Sequence, residues 1–87
     1  MSIGEKVKGV LSTNGKKASG LASVLGAEGK GISTQALSNK FYRDSFSVED
    51  LITVAEYANC ELAFISASGS KIVLEREDIK PKKVKGE

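Results

Sequence analysis

GISTQALSNKFYR, residues 31–43, is the stretch on which the reading of this chain turns. At helical spacing it has one thin apolar line, Leu37 and Phe41, with Ala36 beside them. Everything else is a hydroxyl, an amide or a cation: Ser33, Thr34, Gln35, Ser38, Asn39, Lys40 and Arg43. Glu and Lys would suffice to keep a helix face in water. The stretch predicts a helix with Ser33 as N-cap, ended by Arg43-Asp44-Ser45, whose outer face is built for hydrogen bonding.

Working outward, residues 17–25 predict a preceding helix, with Ala18, Leu21, Ala22 and Leu25 as its buried stripe and Gly26 ending it. The connector AEGKGI is rich in glycine, but it lacks the spacing of a phosphate-binding P-loop. Val24 stands where the first glycine of that pattern belongs, and Gly31 follows Lys30 where Ser or Thr is needed. Before this, residues 2–12 predict a first helix, with Ser2 as N-cap, Ile3, Val7, Val10 and Leu11 on one face, and Asn14-Gly15 as its end. A fourth helix is expected over 48–58. Ser47 and Asp50 have capping-box spacing, Phe46 staples the start, and Leu51, Ile52, Val54, Ala55 and Ala58 face inward.

The pattern then changes period. Residues 61–65 and 72–74 are β-branched and aromatic, and SASGS between them has hairpin length with a glycine for a left-handed position. In such a hairpin Leu62 and Phe64 share one face, Ala63 and Ile65 the other. Two strands alone are marginal in water, so the hairpin must pack on the helices or meet a second chain. The expected fold is mainly α: a four-helix domain with a C-terminal β-hairpin over residues 1–78. A basic, disordered tail is expected over 79–87.

At 87 residues and 40% hydrophobic content, the chain suits one folded domain with a modest core. The start MSIGEKVKG carries charges where a signal peptide needs an apolar block, and no apolar run approaches the roughly 18 residues of a membrane span. A cytoplasmic protein without membrane association is expected. The chain has no histidine and one cysteine, Cys60. It therefore lacks the commonest general base, the usual partner of Ser or Cys nucleophiles, and a zinc-ligand set. Cys60 is expected as a half-buried small apolar residue near a helix end, and Glu49-Asp50 as helix-start residues. No enzyme, cofactor or small-molecule substrate is expected.

Net charge is +2, but it is sorted along the chain. Residues 1–45 carry seven cations against three anions, residues 46–79 two against seven, and the final KPKKVKGE returns to net positive. Positive charge gathered in one half suits a polyanionic partner on one side.

The run ASGLASVLGAEGKGISTQALSNKF, residues 18–41, resembles the helix-turn-helix core of the lambda-repressor-like family, the XRE or Cro type. The likeness lies in Leu21-Ala22, Leu25-Gly26, Ile32 and Ser33-Thr34-Gln35-Ala36-Leu37-Ser38, and it extends over residues 3–65. It implies that the helix over 17–25 braces on the DNA backbone and that the helix over 33–43 is the recognition helix. Ile32 and Leu37 would be packed inside. Two features depart from the family. The 26–33 connector is about four residues longer than the usual short turn. Lys17 and Ala18 stand where Thr and Gln are usual.

The polar front then acquires a purpose. Base edges in the major groove are read by groups that donate and accept: Gln and Asn to adenine, Ser and Thr to several bases. The expected base contacts are Ser33, Thr34, Gln35, Ser38 and Asn39, and the expected phosphate contacts are Lys17, Ser19, Lys30, Lys40 and Arg43. Tyr42 is expected at the core rim. The expected function is a sequence-specific transcriptional regulator of phage or mobile-element type, binding double-stranded DNA as a homodimer joined through Leu62, Phe64, Ile72 and Leu74. The competing expectation is a protein–protein interaction module that keeps this fold without specific DNA binding, favoured by the long connector and the missing Thr-Gln pair.

Overall fold

A computed structural model describes residues 2–26 and 29–79 of the chain. Its helices are α1 (Ile3–Thr13), α2 (Ala18–Val24), α3 (Thr34–Arg43) and α4 (Val48–Tyr57). They are followed by an antiparallel hairpin, β1 (Leu62–Ile65) and β2 (Lys71–Leu74), and a short 3-10 turn, Arg76–Asp78. The fold is thus mainly α with a C-terminal hairpin. Ile79 N–H donates to the Arg76 carbonyl at 3.1 Å. The rest of the expected 79–87 tail lies outside the described residues. No helix among the described residues is long and apolar enough to cross a membrane.

Local chemistry starts each long helix. The Ser2 hydroxyl accepts from the Glu5 N–H at 3.1 Å, and the Glu5 carboxylate accepts from the Ser2 N–H at 3.1 Å. Ser47 and Asp50 form the same reciprocal box on α4. Ser33 accepts from the Ala36 N–H at 3.0 Å on α3. Each such cap is worth about 1 kcal/mol, because it satisfies N–H groups that have no partner within the helix. At the other end of α3, Asp44 sits in the left-handed region, φ 57°, and stops the helix. Its carboxylate then reaches back across the sequence to accept from the N–H groups of Ile3 at 3.2 Å and Gly4 at 2.6 Å. One residue thus ends α3 and ties down the start of α1.

The core forms where the four apolar stripes meet. Val7 and Leu11 of α1, Leu21, Ala22 and Leu25 around α2, Leu37 of α3, Phe46 and Val54 pack together, with Val10, Ile32, Phe41, Leu51 and Tyr57 against them. Leu21 and Leu25 are fully buried, each contributing about 1.5–3 kcal/mol of transfer free energy. Four expectations are corrected here. Ile3 and Ala18 are exposed. Both lie in first turns and line open grooves, Ile3 beside Leu51 and Ala18 beside Thr34, which no side chain among the described residues fills. Tyr42 is 88% exposed rather than at the core rim, because it sits one residue, about 100°, off the Leu37–Phe41 line. Cys60 is exposed rather than half-buried, lying beyond the end of α4 where its sulfur accepts from Asn14 Nδ2 at 3.3 Å.

The connector between α2 and α3 is pinched at its base. Gly31 N–H donates to the Leu25 carbonyl at 2.6 Å, and Ile32 N–H to the Ala22 carbonyl at 2.8 Å. Gly31 has φ 92°, and a Cβ there would stand 3.0 Å from the Ser23 carbonyl oxygen, so glycine is what this pinch accepts. Ile32 packs against the core beside this closure.

In the hairpin Leu62 pairs with Leu74, Ala63 with Val73, Phe64 with Ile72 and Ile65 with Lys71. Gly69 turns the loop with φ 96°. The hairpin root packs on α4 and is half-buried, whereas Phe64, Ile65 and Ile72 at its far end are exposed. Arg76 anchors the segment that follows. Its guanidinium donates to the Glu56 carboxylate at 2.8 and 3.2 Å and to Thr53 Oγ1 at 2.7 Å. The Glu56 hydrogen bonds hold the Arg76 pKa above its ordinary value.

Candidate nucleic-acid interface

Leu37, 4% exposed, fastens α3 to the core from behind. Ser33, Thr34, Gln35, Ser38 and Asn39 are all exposed in front. On this helix Thr34, Ser38 and Tyr42 form one row at four-residue spacing, and Gln35 and Asn39 a second row beside it. Ser33 differs from the other four. Its hydroxyl oxygen is already engaged as the α3 cap, which leaves chiefly its proton to offer a ligand.

The first row borders a groove of about 510 Å³ between α3 and the start of α2. Ser19, Thr34 and Ser38 line it together, so the structure gathers three of the sequence-assigned residues at one place. Lys8 and Tyr42 line it too, and sequence reasoning assigned neither of them a contact. Lys8 stands over the Phe41 ring, its ammonium 5.1 Å from the ring centre, which keeps the charge at the groove edge. For Tyr42 the signal was present in the four-residue spacing from Thr34 and Ser38. For Lys8 there was none, because only the packing of α1 against α3 brings it there. Among the described residues no carboxylate lines this groove.

The expected phosphate-contact residues divide. Lys17 and Arg43 are exposed, Lys17 just before α2 and Arg43 in the last turn of α3. Ser19 is exposed at the groove, and Lys30 is exposed in the connector. Lys40 is different: its ammonium lies 2.8 Å from Asp50 Oδ2, with both side chains largely covered. Asp50 is turned toward α3 by the Ser47 capping box, where it also accepts the Ser47 N–H at 3.0 Å. Lys40 is thus spent on joining α3 to α4.

Acidic side chains collect elsewhere, on α4 and after the hairpin. Glu49 and Glu56 there face Arg76 at 3.7 and 2.8 Å. Among the described residues no group of three or more His, Cys, Asp or Glu is placed to hold a metal ion. Of the residues expected at a dimer contact, Leu62 and Leu74 are half-buried at the hairpin root, and Phe64 and Ile72 stand free at its end. Compared with known protein families, curated proteins and solved structures, the chain has no match.

Proposed function

We propose that the protein is a sequence-specific DNA-binding transcriptional regulator, of the phage or mobile-element type its helix-turn-helix core resembles. The observation that carries this reading is the uncharged hydrogen-bonding front of α3, exposed along Thr34, Gln35, Ser38 and Asn39 and backed by buried Leu37. A helix laid in the major groove presents its first turns to base edges. Gln35 and Asn39 have the amides that pair with adenine N6 and N7, each such bidentate pair discriminating by about 1–3 kcal/mol. Thr34 and Ser38 offer hydroxyls to neighbouring edges. Lys17, Ser19, Lys30 and Arg43 supply backbone contacts, joined by Lys8 and Tyr42 at the groove between α2 and α3. These set register and supply most of the affinity. The protein acts as a dimer, because one such helix reads too few bases for specificity and two-fold pairing doubles the site.

The test has two arms. Binding to random-sequence duplex, followed by fluorescence anisotropy, should weaken steeply with salt, because bound cations release counterions from DNA. Selection from a random DNA pool should then yield a preferred site. On that site Gln35→Ala and Asn39→Ala should each lose roughly 5- to 100-fold in affinity, with non-specific binding unchanged. Negligible binding at every salt concentration refutes the reading and leaves the interaction module in its place.

A further inference from the structure

An apolar groove of about 240 Å³ lies between α1, α4 and the start of β1. Ile3 and Val10 line one side, Leu51 the other, and Leu62 closes the end where the hairpin leaves the helices. From Leu62 the same apolar surface continues outward, because side chains two residues apart on a strand share a face. Phe64 follows on β1, and the register sets Ile72 and Leu74 beside them on β2. Lys6 and Glu61 also line the groove, whereas the hairpin part of the strip, Phe64, Ile72 and Leu74, is apolar. Lys71 belongs to the other face of the hairpin, its ammonium 2.7 Å from the Glu61 carboxylate.

Phe64 is 67% exposed and Ile72 66% exposed. Nothing among the described residues covers the half of the hairpin that bears them, and a two-stranded ribbon does not hold apolar side chains in water at a profit. Their own groove is out of reach, since an extended strand carries Phe64 away from Leu62 by about 6–7 Å. A second copy has no such obstacle. When the strip is turned by a two-fold rotation, the hairpin end of each molecule lies over the groove of the other. The groove has the capacity, as an apolar cavity of about 150 Å³ already admits a benzene ring.

We infer that the protein forms a two-fold dimer in which Phe64 and Ile72 of each copy seat in the Ile3–Val10–Leu51–Leu62 groove of the other. In the regulator reading, on which this dimer rests for its purpose, the interface sets the spacing of the two α3 helices. At roughly 150–250 Å² for a large side chain, the exposed fractions of Phe64, Ile72 and Ile3 amount to about 300 Å² of mostly apolar surface per copy. With the half-buried Leu62 and Leu74 beside them, this is the larger part of the apolar share of the roughly 800 Å² per partner that a standard specific interface buries. Cys60 lies on the groove wall and gives a native reporter position.

The experiment is sedimentation velocity from low to high micromolar concentration on the full chain, with circular dichroism as the check on folding. The wild-type protein should sediment as a dimer. Phe64→Glu and Ile3→Glu each change an exposed side chain, so both should keep their helices while the dimer Kd rises at least about 100-fold. Mixing the two variants should restore a weakened dimer, because one hairpin and one groove remain intact and meet each other. A wild-type monomer at every concentration overturns the inference. So does an Ile3→Glu protein that dimerises like wild type, which would mean that hairpins meet each other and the groove is no seat. Salt-dependent binding of Phe64→Glu to random duplex separates the two proposals. Binding by a monomeric wild type sinks only the dimer. A proper dimer without DNA binding sinks only the regulator reading.

Discussion

Gly20→Ala should destabilise this protein, although the substitution places the best helix former in the interior of a helix. Propensity alone favours alanine over glycine by about 0.8–1 kcal/mol. The structure opposes it. A Cβ on Gly20 would lie 2.0 Å from Tyr57 Oη and 2.9 Å from Tyr57 Cζ. The ring must therefore leave its seat. It then loses the hydrogen bond from its hydroxyl to the Lys17 carbonyl at 2.9 Å, worth about 1 kcal/mol. It also loses the Lys16 ammonium 5.5 Å from its centre, worth about 0.5–1 kcal/mol, together with part of its packing. Losses of about 2–3 kcal/mol against a gain of about 1 leave a net cost of about 1–2 kcal/mol. In a domain of this size that lowers Tm by roughly 5–15 °C. The sign should reverse when the ring is absent. In a Tyr57→Leu background, Gly20→Ala should stabilise by about 0.8–1 kcal/mol, giving a coupling of about 2–3 kcal/mol between the two positions. Urea denaturation of the four proteins of this cycle measures it. If Gly20→Ala stabilises both backgrounds alike, α2 is not seated on α4 through Tyr57 and the reasoning is wrong.

Lys40 and Arg43 should separate in their effect on DNA. Arg43→Ala should lower the slope of log affinity against log salt by about 0.9, the share of one phosphate contact, as read by anisotropy. Lys40→Ala should leave the slope unchanged but cost about 1 kcal/mol of stability in urea, because Asp50 loses its partner at 2.8 Å. Asp44→Ala should cost about 2–3 kcal/mol by thermal melting. It removes the acceptors of the Ile3 and Gly4 N–H groups and leaves alanine at φ 57°. Asp44→Asn, which tolerates that backbone and keeps one acceptor, should cost less than half as much.

Much of the fold was legible in residue order because it is made by interactions that span only a few positions. Ser2, Ser33 and Ser47 cap the helices they were expected to cap, each through an N–H three residues on. The apolar spacing named Val7, Leu11, Leu21, Ala22, Leu25, Leu37 and Val54 as core, and the change of period located the hairpin. The same regularity gives only an angle around a helix axis. It does not say how fully the neighbouring elements fill the space beside each position: Ile3 and Ala18 were assigned inward, and both line open grooves.

The outward polar front of α3 was decided by the sequence alone, since the Leu37–Phe41 line leaves those side chains nowhere else to point. Which of the nearby charges is available to a ligand was decided by the tertiary structure. Lys40 reads like Arg43 in the sequence, yet one is bound to Asp50, ten residues on, and the other is exposed. Lys8 reads as a solvated residue of a distant helix, yet it stands over Phe41 beside Thr34 and Ser38. A charge settles where packing brings its nearest opposite charge or ring face, and those distances exist only once the helices have docked.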